Sequence, residues 1–316
     1  MDLVDRIYEA AVVHERWPTV LQNIAVFAGG FGTLLSVVSP TGRSRFITSS
    51  SAMDELTRAH LETFPGNVRT SRLLAKRHAG FIVDLDVLTE DEMAAAPIYR
   101  DYLHPRGFGY GAATAIHVPT GDATVVHIEG YLAKGPILSQ TVSRLDGLRP
   151  HLARAALIAN RLETQVAGSA VSALELVGLP AAVLNDRGKP LAANELFQRL
   201  IPAAVEELPR RLRWMDAGAD ELFVKALTSD PSQATVRSIP MRAFADLPPI
   251  VIHLVPINFA ARDVFSRAEA ILIVTPVEPK PSLGPDLVEG LFDLTAAEAK
   301  LAALIASGHP PRDAAN

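Results

Sequence analysis

The sequence predicts an α+β protein with two antiparallel sheets that are joined by a long helix. Strand patterns occur in pairs around short turns, as in residues 109–132 and 181–192. A helical pattern of about four heptads fills residues 137–166. Strands and helices do not alternate regularly, which argues against a doubly wound parallel sheet. The 316 residues are enough for two domains with separate cores.

Composition narrows the class of protein further. The absence of cysteine excludes a disulfide scaffold, a thiolate nucleophile and cysteine-ligated zinc, and it fits a cytoplasmic location. No stretch approaches about 18 uninterrupted apolar residues, so no membrane span is predicted. The formal net charge is −5, whereas a DNA-binding protein usually carries a basic face. A DNA-binding part is therefore predicted to be small or missing.

Residues 1–136 are predicted to form the first α+β domain. Apolar residues recur at helical spacing from Leu3 to Phe27, with a break at Trp17–Pro18. Pro97 should break a later helix because proline lacks the amide that the helix needs. The other predicted elements are a hairpin at 32–50, a helix at 53–64, a helix at 91–103 and a hairpin at 109–132.

Residues 137–168 are predicted to be a connecting helix, kinked or divided at Pro150. Its apolar rows suit two structures equally well. The helix either packs on its own domain or pairs across a homodimer, which is the predicted assembly. The first row is Leu138, Leu145, Leu152, Ala159 and Val166, and the second is Thr141, Leu148, Ala155 and Leu162.

Residues 169–276 are predicted to form a second α+β domain. A strand at Ala181–Leu184 is followed by a tight turn, a return strand and a helix that Asn194 can cap. This order resembles the start of a PAS domain, and the first domain is GAF-like or PAS-like in its mixture of helices and hairpins. The residues that carry the PAS resemblance are Asp186, Gly188, Ala192, Ala193 and Asn194.

The last part of the chain carries the most informative motif. Residues 277–289 are proline-rich and are predicted to be a linker. Residues 290–316 then open with Thr295 and Glu298, which are spaced as a capping box. Leu301, Leu304 and Ile305 form an apolar stripe on the capped helix, which Gly308 should end.

This pattern resembles the opening of a LuxR-type (GerE-like) helix-turn-helix domain. The matching residues are Leu294, Thr295, Glu298, Leu301, Leu304, Ile305, Ala306, Gly308, Ala314 and Ala315. The resemblance implies a bacterial transcription regulator in which a later recognition helix enters the major groove. The chain ends before such a helix, so only a full-length form is expected to bind DNA. The alternative is a stand-alone sensor or interaction protein that modulates a partner regulator without binding DNA.

A sensor needs a pocket that is largely apolar with a few polar anchors. Aromatic and basic residues cluster between residues 99 and 110, where they either line a small-molecule site or pack as core with polar groups at its edge. His253 is the one polar anchor predicted in the second domain, within an otherwise apolar strand. The predicted ligand-binding residues are Tyr99, Tyr102, His104, Arg106, Tyr110 and His253, and Phe108 lies among them.

Other chemistry finds little support in the sequence. If Val118 pairs with Ala123, His117 and His127 point to opposite sides of the sheet and cannot share a metal. Asp84 and Asp86 are predicted to lie in a solvated acidic loop. No G-x-S-x-G elbow or zinc-binding histidine spacing is present. The sequence thus predicts neither an enzyme nor a bound metal or cofactor.

Overall fold

A computed structural model describes residues 2–39, 44–76, 78–117, 121–228, 235–243, 247–257, 264–277 and 285–306. The chain divides into two compact units. The first unit comprises Met1–Ala170 and Ile257–Glu269, and the second comprises Val171–Pro256 and Ala270–Asn316. No helix within the described ranges is both long and apolar enough to cross a membrane.

The first unit is built on a five-stranded sheet in which all neighbours are antiparallel, in the order β2-β1-β5-β4-β3. The strands confirm the two predicted hairpins and add the short strand β3. Their bounds are β1 Gly32–Val38, β2 Ser44–Thr48, β3 Ile82–Val83, β4 Ala112–His117 and β5 Ala123–Glu129.

Helices cover both faces of this sheet. Pro18 lies in the first turn of the second helix, where its missing amide costs little, so the break predicted at Trp17–Pro18 falls slightly earlier. Pro97 separates α5 from a π-helix at Ile98–Leu103, as predicted. The helices are α1 Leu3–Val12, α2 Trp17–Ala28, α3 Ser51–Thr63, α4 Val68–Ala75, α5 Glu90–Ala95 and α6 Ser139–Leu176.

Strand alternation assigns a different layer of helices to each face of the sheet. Leu35 and Val126 belong to a core shared with α1, α2 and α6. The next residues along these strands, Leu34 and Val125, belong to the opposite face, where α3, α4 and α5 pack. The second face carries the candidate site described below.

The middle of the long helix packs its apolar rows within the first unit, whereas Leu138 and Val166, at the two ends of the first row, are 72% and 63% exposed. Leu145, Leu152 and Ala159 are each at most 2% exposed in the core of that unit. These positions cannot also form a dimer seam, so the intramolecular alternative is favoured. The helix passes Pro150 and ends at Leu176, beyond the end expected at residue 168.

The β4–β5 pairing differs by one residue from the predicted register. His117 pairs with Ala123, not Val118 with Ala123. Since side chains alternate along a strand, this shift places His117 and His127 on the same face, and the prediction of opposite faces was wrong. The described residues contain no cluster of three or more metal-ligating side chains.

The second unit has its own five-stranded antiparallel sheet, in the order β10-β11-β12-β6-β7, and a separate β8–β9 hairpin that the sequence did not predict. Its helices are α7 Glu195–Gln198 and α8 Ala217–Leu227. Its strands are β6 Ala181–Leu184, β7 Pro190–Ala193, β8 Val205–Glu207, β9 Leu212–Trp214, β10 Arg237–Met241, β11 Ile250–Pro256 and β12 Ala270–Pro276.

Asn194 caps α7 as predicted and also ties the surrounding backbone together. Its side-chain oxygen accepts hydrogen bonds from the amides of Phe197 (2.9 Å) and Ala181 (3.0 Å). Its side-chain nitrogen donates to the carbonyls of Leu179 (2.9 Å) and Val171 (3.0 Å). This buried side chain therefore joins the end of the long helix to the first strand of the second sheet.

Two short helices follow, α9 Pro285–Phe292 and α10 Ala296–Ala306. The first begins inside the segment expected to be a linker at 277–289. The capping box at the start of α10 is formed, because Glu298 accepts from the Thr295 amide (2.8 Å) and hydroxyl (2.7 Å). Gly308 lies outside the described residues.

Candidate functional site

A buried ion cluster lies on the second face of the first sheet. The Arg69 guanidinium donates to both carboxylate oxygens of Asp84, at 2.9 and 2.8 Å. It also donates to both oxygens of Glu129, at 2.8 and 3.3 Å. All three side chains are at most 8% exposed. Such a network is costly to desolvate and is tolerated only when its hydrogen bonds are nearly complete.

Three separate elements bring the cluster together. Arg69 lies in the first turn of α4, which Asn67 caps through the Thr70 amide. Asp84 follows β3, and Glu129 ends β5. The sheet order then fixes the spacing of the two carboxylates, because β4 separates β3 from β5.

Gly111 is required where α4 meets the sheet. A Cβ atom at this position would lie 2.1 Å from the Arg69 guanidinium and 2.7 Å from a backbone carbonyl oxygen. The Gly111 amide also donates to Asp84 at 2.8 Å. The glycine-rich stretch before β4 thus makes room for the buried arginine and adds a donor to its partner.

His127 lies next to the carboxylate of Glu129 in this cluster. His127 Nε2 lies 3.2 Å from a Glu129 oxygen. Burial alone would raise the pKa of Glu129, but the Arg69 charge and the His127 hydrogen bond lower it to about 2. Glu129 is therefore ionised in the folded protein over the ordinary pH range.

His60 lies beside the cluster on α3 and responds in the opposite sense. Burial, together with the positive charges of Arg69 and His127, lowers the pKa of His60 to about 4. Its Nε2 atom is 3.1 Å from the Asn67 side-chain nitrogen. A neutral His60 imidazole therefore faces this arginine-containing cluster.

Tyr99 forms the wall next to the cluster. The Arg69 guanidinium lies over the Tyr99 ring, 5.5 Å from its centre. The Tyr99 hydroxyl lies close to Asp84, but within the described part of the chain it makes no hydrogen bond of normal geometry. Burial is the main cause that raises the Tyr99 pKa, so the hydroxyl stays protonated and is a buried donor.

Of the other predicted ligand-binding residues of the first unit, His104 contacts the Tyr99 ring, and the rest make other contacts. The His104 ring lies 5.6 Å from the Tyr99 ring, and its Nε2 atom is buried without a hydrogen-bond partner among the described residues. Tyr102 instead donates to the Leu56 carbonyl at 2.9 Å, and the exposed Arg106 stacks on the Tyr102 ring at 4.1 Å. Tyr110 is partly buried against the same apolar cluster.

The apolar part of this wall is supplied by α3, α5 and the π-helix. Phe31 and Phe108 stack with their ring centres 4.5 Å apart at its edge. Buried donors beside an aromatic and aliphatic wall are the ingredients of a small-molecule site. The remaining buried members of the wall are Met53, Leu56, Leu88, Met93, Ile98 and Leu103.

The sequence interpretation missed the charged centre of this site. Asp84 was expected in a solvated loop, but it is 5% exposed and fully engaged with Arg69. Asp86 does lie in an exposed turn, where it accepts from the Val83 amide. The available signal was Glu129, an acidic residue within an otherwise apolar strand, which requires a buried partner.

A second concavity opens to solvent near the edge strand β2. It has a volume of about 670 Å³ and contains the Asp54–Arg58 ion pair, with a nitrogen–oxygen distance of 2.6 Å. Its mouth is wide and its only buried lining residue is Thr48, so it is an open depression and not an enclosed pocket. Other lining residues are Pro18, Phe46 and Ile47.

His253 lies on β11, in the second unit. It bridges neighbouring strands, with Nδ1 2.9 Å from Ser238 Oγ and Nε2 2.9 Å from Thr275 Oγ1. The alternate residues Ile252 and Leu254 form the buried core, so His253 faces away from that core. The structure therefore does not bring His253 together with the apolar interior of its unit.

The predicted helix-turn-helix start is only partly buried. Ala299 and Ala303 are at most 6% exposed, on the helix α10 that packs against α9. Leu301 and Leu304 are instead about 40% exposed, and Ile305 is 46% exposed. The larger apolar side chains of this helix thus face solvent.

Comparisons with known proteins give no family. No protein-family model and no curated protein matches the chain. Among solved structures, the N-acylhomoserine lactone dependent LuxR family factor CepR2 of Burkholderia cenocepacia is 13% identical with a TM-score of 0.36 over 49% of this chain and 90% of that chain. The LBD domain of VqsR from Pseudomonas aeruginosa is 12% identical with a TM-score of 0.39, over 50% and 93%. Escherichia coli SdiA is 15% identical with a TM-score of 0.33, over 50% and 61%. With TM-scores this low, the likenesses establish neither a family nor a function.

Proposed function

We propose that this chain is the sensing region of a cytoplasmic, dimeric transcription regulator of the LuxR type. The carrying observation is the capped helix α10, which follows the last strand of the second sheet at the end of the second unit. It begins with the Leu294–Thr295 pair and closes a capping box with Glu298. Two sensor-like modules followed by such a helix are the layout of a one-component regulator.

The exposure pattern of the last two helices supports this proposal. A finished helical domain buries its leucines and isoleucines, because their removal from water supplies most of its stability. Here the buried side chains among the described residues of α9 and α10 are Val288, Ala299 and Ala303. Leu291 and Phe292 are more than 60% exposed, and Leu301 and Leu304 are about 40% exposed. A further helical element, such as a recognition helix, would cover this surface.

The first unit is the ligand-binding module in this proposal. His104 Nε2 is a buried polar atom without a hydrogen-bond partner among the described residues, and the buried Tyr99 hydroxyl beside Asp84 is a second polar atom of this wall. The neighbouring wall is apolar and aromatic. A small uncharged molecule with an apolar body and a hydrogen-bonding group would satisfy both features.

Native mass spectrometry of the purified chain tests the sensing part of the proposal. The protein should retain a small molecule, and Tyr99→Phe should weaken its binding about tenfold because one charge-neutral hydrogen bond is lost. Tyr8→Phe is the matched control, since Tyr8 contacts His151 on the other face of the sheet. Failure to retain or bind any molecule, or equal weakening by both variants, would contradict the assignment.

The DNA-binding part has a separate test. The genomic reading frame is followed beyond Asn316. A continuing frame that encodes a basic helix supports a regulator that binds DNA in its full-length form. A stop codon directly after Asn316 would instead favour the alternative, a stand-alone sensor or interaction protein that modulates a partner regulator.

A further inference from the structure

Residues 264–269 pack in the core of the first unit, although they connect two strands of the second sheet. Val264 and Phe265 are each 2% exposed. The Phe265 ring lies 5.6 Å from the ring of Trp17, at the start of α2. Connecting segments usually run over the surface, so a fully buried valine–phenylalanine pair in one is unusual.

A single carboxylate oxygen fixes the next part of the segment. Glu163 Oε1, on α6, accepts from the Ser266 hydroxyl at 2.7 Å and the Ala268 amide at 2.9 Å. It also accepts from the Arg267 amide. Hydrogen bonds to an ionised group are stronger than neutral ones, so these three donors hold the backbone in one conformation.

Two ion pairs, one within the clamped region and one at its C-terminal end, add to this attachment. Arg267 Nε lies 3.1 Å from the carboxylate of Asp122, which is 4% exposed. Glu269 accepts from Arg45 of β2 at 2.9 Å, and both side chains are 29% exposed. The segment is thus held in the first unit by apolar burial, by a carboxylate clamp and by ion pairs.

No residue separates Glu269, the last residue of the strap held by an ion pair, from the second sheet. Glu269 directly precedes Ala270, the first residue of β12. Strand β12 is the central strand of its sheet and pairs with both β11 and β6. A displacement of Glu269 must therefore be taken up within one peptide unit or passed into β12.

We propose that residues 264–269 form a strap that couples the conformational stability of the first unit to strand β12. When the strap is seated, the start of β12 is held. When the strap leaves its contacts with the first unit, the start of β12 is no longer held, and the hydrogen bonds of the second sheet open more often. This inference rests on the contacts of the strap alone and does not depend on the proposed function.

Hydrogen exchange measured by mass spectrometry on the whole chain tests this coupling. Glu163→Ala removes the acceptor shared by three donors. We expect amide exchange to become about tenfold faster both in residues 264–269 and in Leu272–Val274, well inside β12. Gln165→Ala, an exposed change on the same helix, should alter neither region.

Faster exchange confined to residues 264–270, with Leu272–Val274 unchanged, would overturn the proposal, because it would reduce the strap to a local loop. The emission of Trp17 checks that the first unit remains folded. If Glu163→Ala does not fold, Ser266→Ala removes only one donor to the same oxygen. It should then produce the same pattern with a smaller change.

Discussion

The two units share a five-stranded antiparallel sheet but differ in what they bury. The first unit encloses the charged side chains Arg69, Asp84 and Glu129 beneath a layer of helices. Among the described residues of the second unit, the buried polar side chains are Asn185 and Asn194, which are uncharged and bind backbone groups. The second sheet thus uses polar burial to shape its own turns.

The charged centre of the first unit has no comparable local task. Its residues cap no helix and close no turn together, and they come from three elements. A buried ion network contributes less to stability than an apolar core of the same shape would. Its position beside the Tyr99 hydroxyl therefore marks this face of the first unit, and not the second unit, as the place to look for a ligand.

Arg69→Met should produce the largest effect and would test the comparison directly. It leaves two buried carboxylates without their cation, which should lower the free energy of unfolding of the first unit by about 3–5 kcal/mol. Denaturant titration followed by Trp17 fluorescence, with Trp214→Phe in every chain so that only Trp17 emits, measures the change. Arg72→Met is the matched control on the same helix, because the Arg72–Glu92 pair is 42% exposed on both sides and should matter much less. Equal losses of unfolding free energy in the two variants would show that the buried cluster contributes no more than an exposed ion pair.

Lowering the pH should destabilise the first unit more than the second, and this effect is the next largest. The pKa of Glu129 is lowered from an ordinary 4.5 to about 2, so its contribution is present above pH 4.5 and is lost as the pH falls towards 2. This loss is about 3 kcal/mol for the first unit. Unfolding measured at a series of pH values should show it in the wild type and not in Glu129→Gln.

His60 should make the stability of the first unit depend on pH in a second, less acidic range. Its folded pKa of about 4 lies below the ordinary 6.5, so the unfolded chain binds the proton more tightly. Stability is therefore full above pH 6.5 and declines as the pH falls towards 4. His60→Asn should remove the part of the pH dependence between 6.5 and 4 and leave the Glu129 window. An unchanged profile would contradict this assignment.

Asn194→Ala tests the second unit, where the expected effect is somewhat smaller. Two amides and two carbonyls lose their partner in a buried position, so the second unit should lose about 2–3 kcal/mol. Trp214 fluorescence reports this unit when Trp17, the other tryptophan of the chain, is replaced by Phe. Asp216→Ala removes a simpler cap in the same unit, one amide of Ala219, and should cost about 1 kcal/mol.

Thr295→Ala should have the smallest effect. It removes a solvent-exposed cap worth about 1 kcal/mol, so amides in the first turn of α10 should exchange about fivefold faster. Neither Trp17 nor Trp214 should report a change, because the helix start lies outside both cores. A loss of stability in either sheet would show that α10 is part of an upstream core.

Local features were predictable because their physics acts within a few residues. As helix caps, Asn194 and Thr295 each accept from the amide three positions later, and Pro97 breaks a helix through its own ring. The hairpins β1–β2 and β6–β7 follow from short turns between alternating strands. The sequence by itself therefore determined the α+β class, most of the elements and their caps.

The tertiary structure decided the pairings between distant residues. Arg69 meets Glu129 across 60 positions, and no local pattern specifies that contact. The heptad rows around Leu152 have the same period whether they face their own domain or a second copy, and only the fold selects the former. A one-residue shift in the pairing of β4 with β5 reverses the face of His117 relative to His127. In the last two cases the sequence determines a periodicity, and in all three the partner depends on how the chain closes in space.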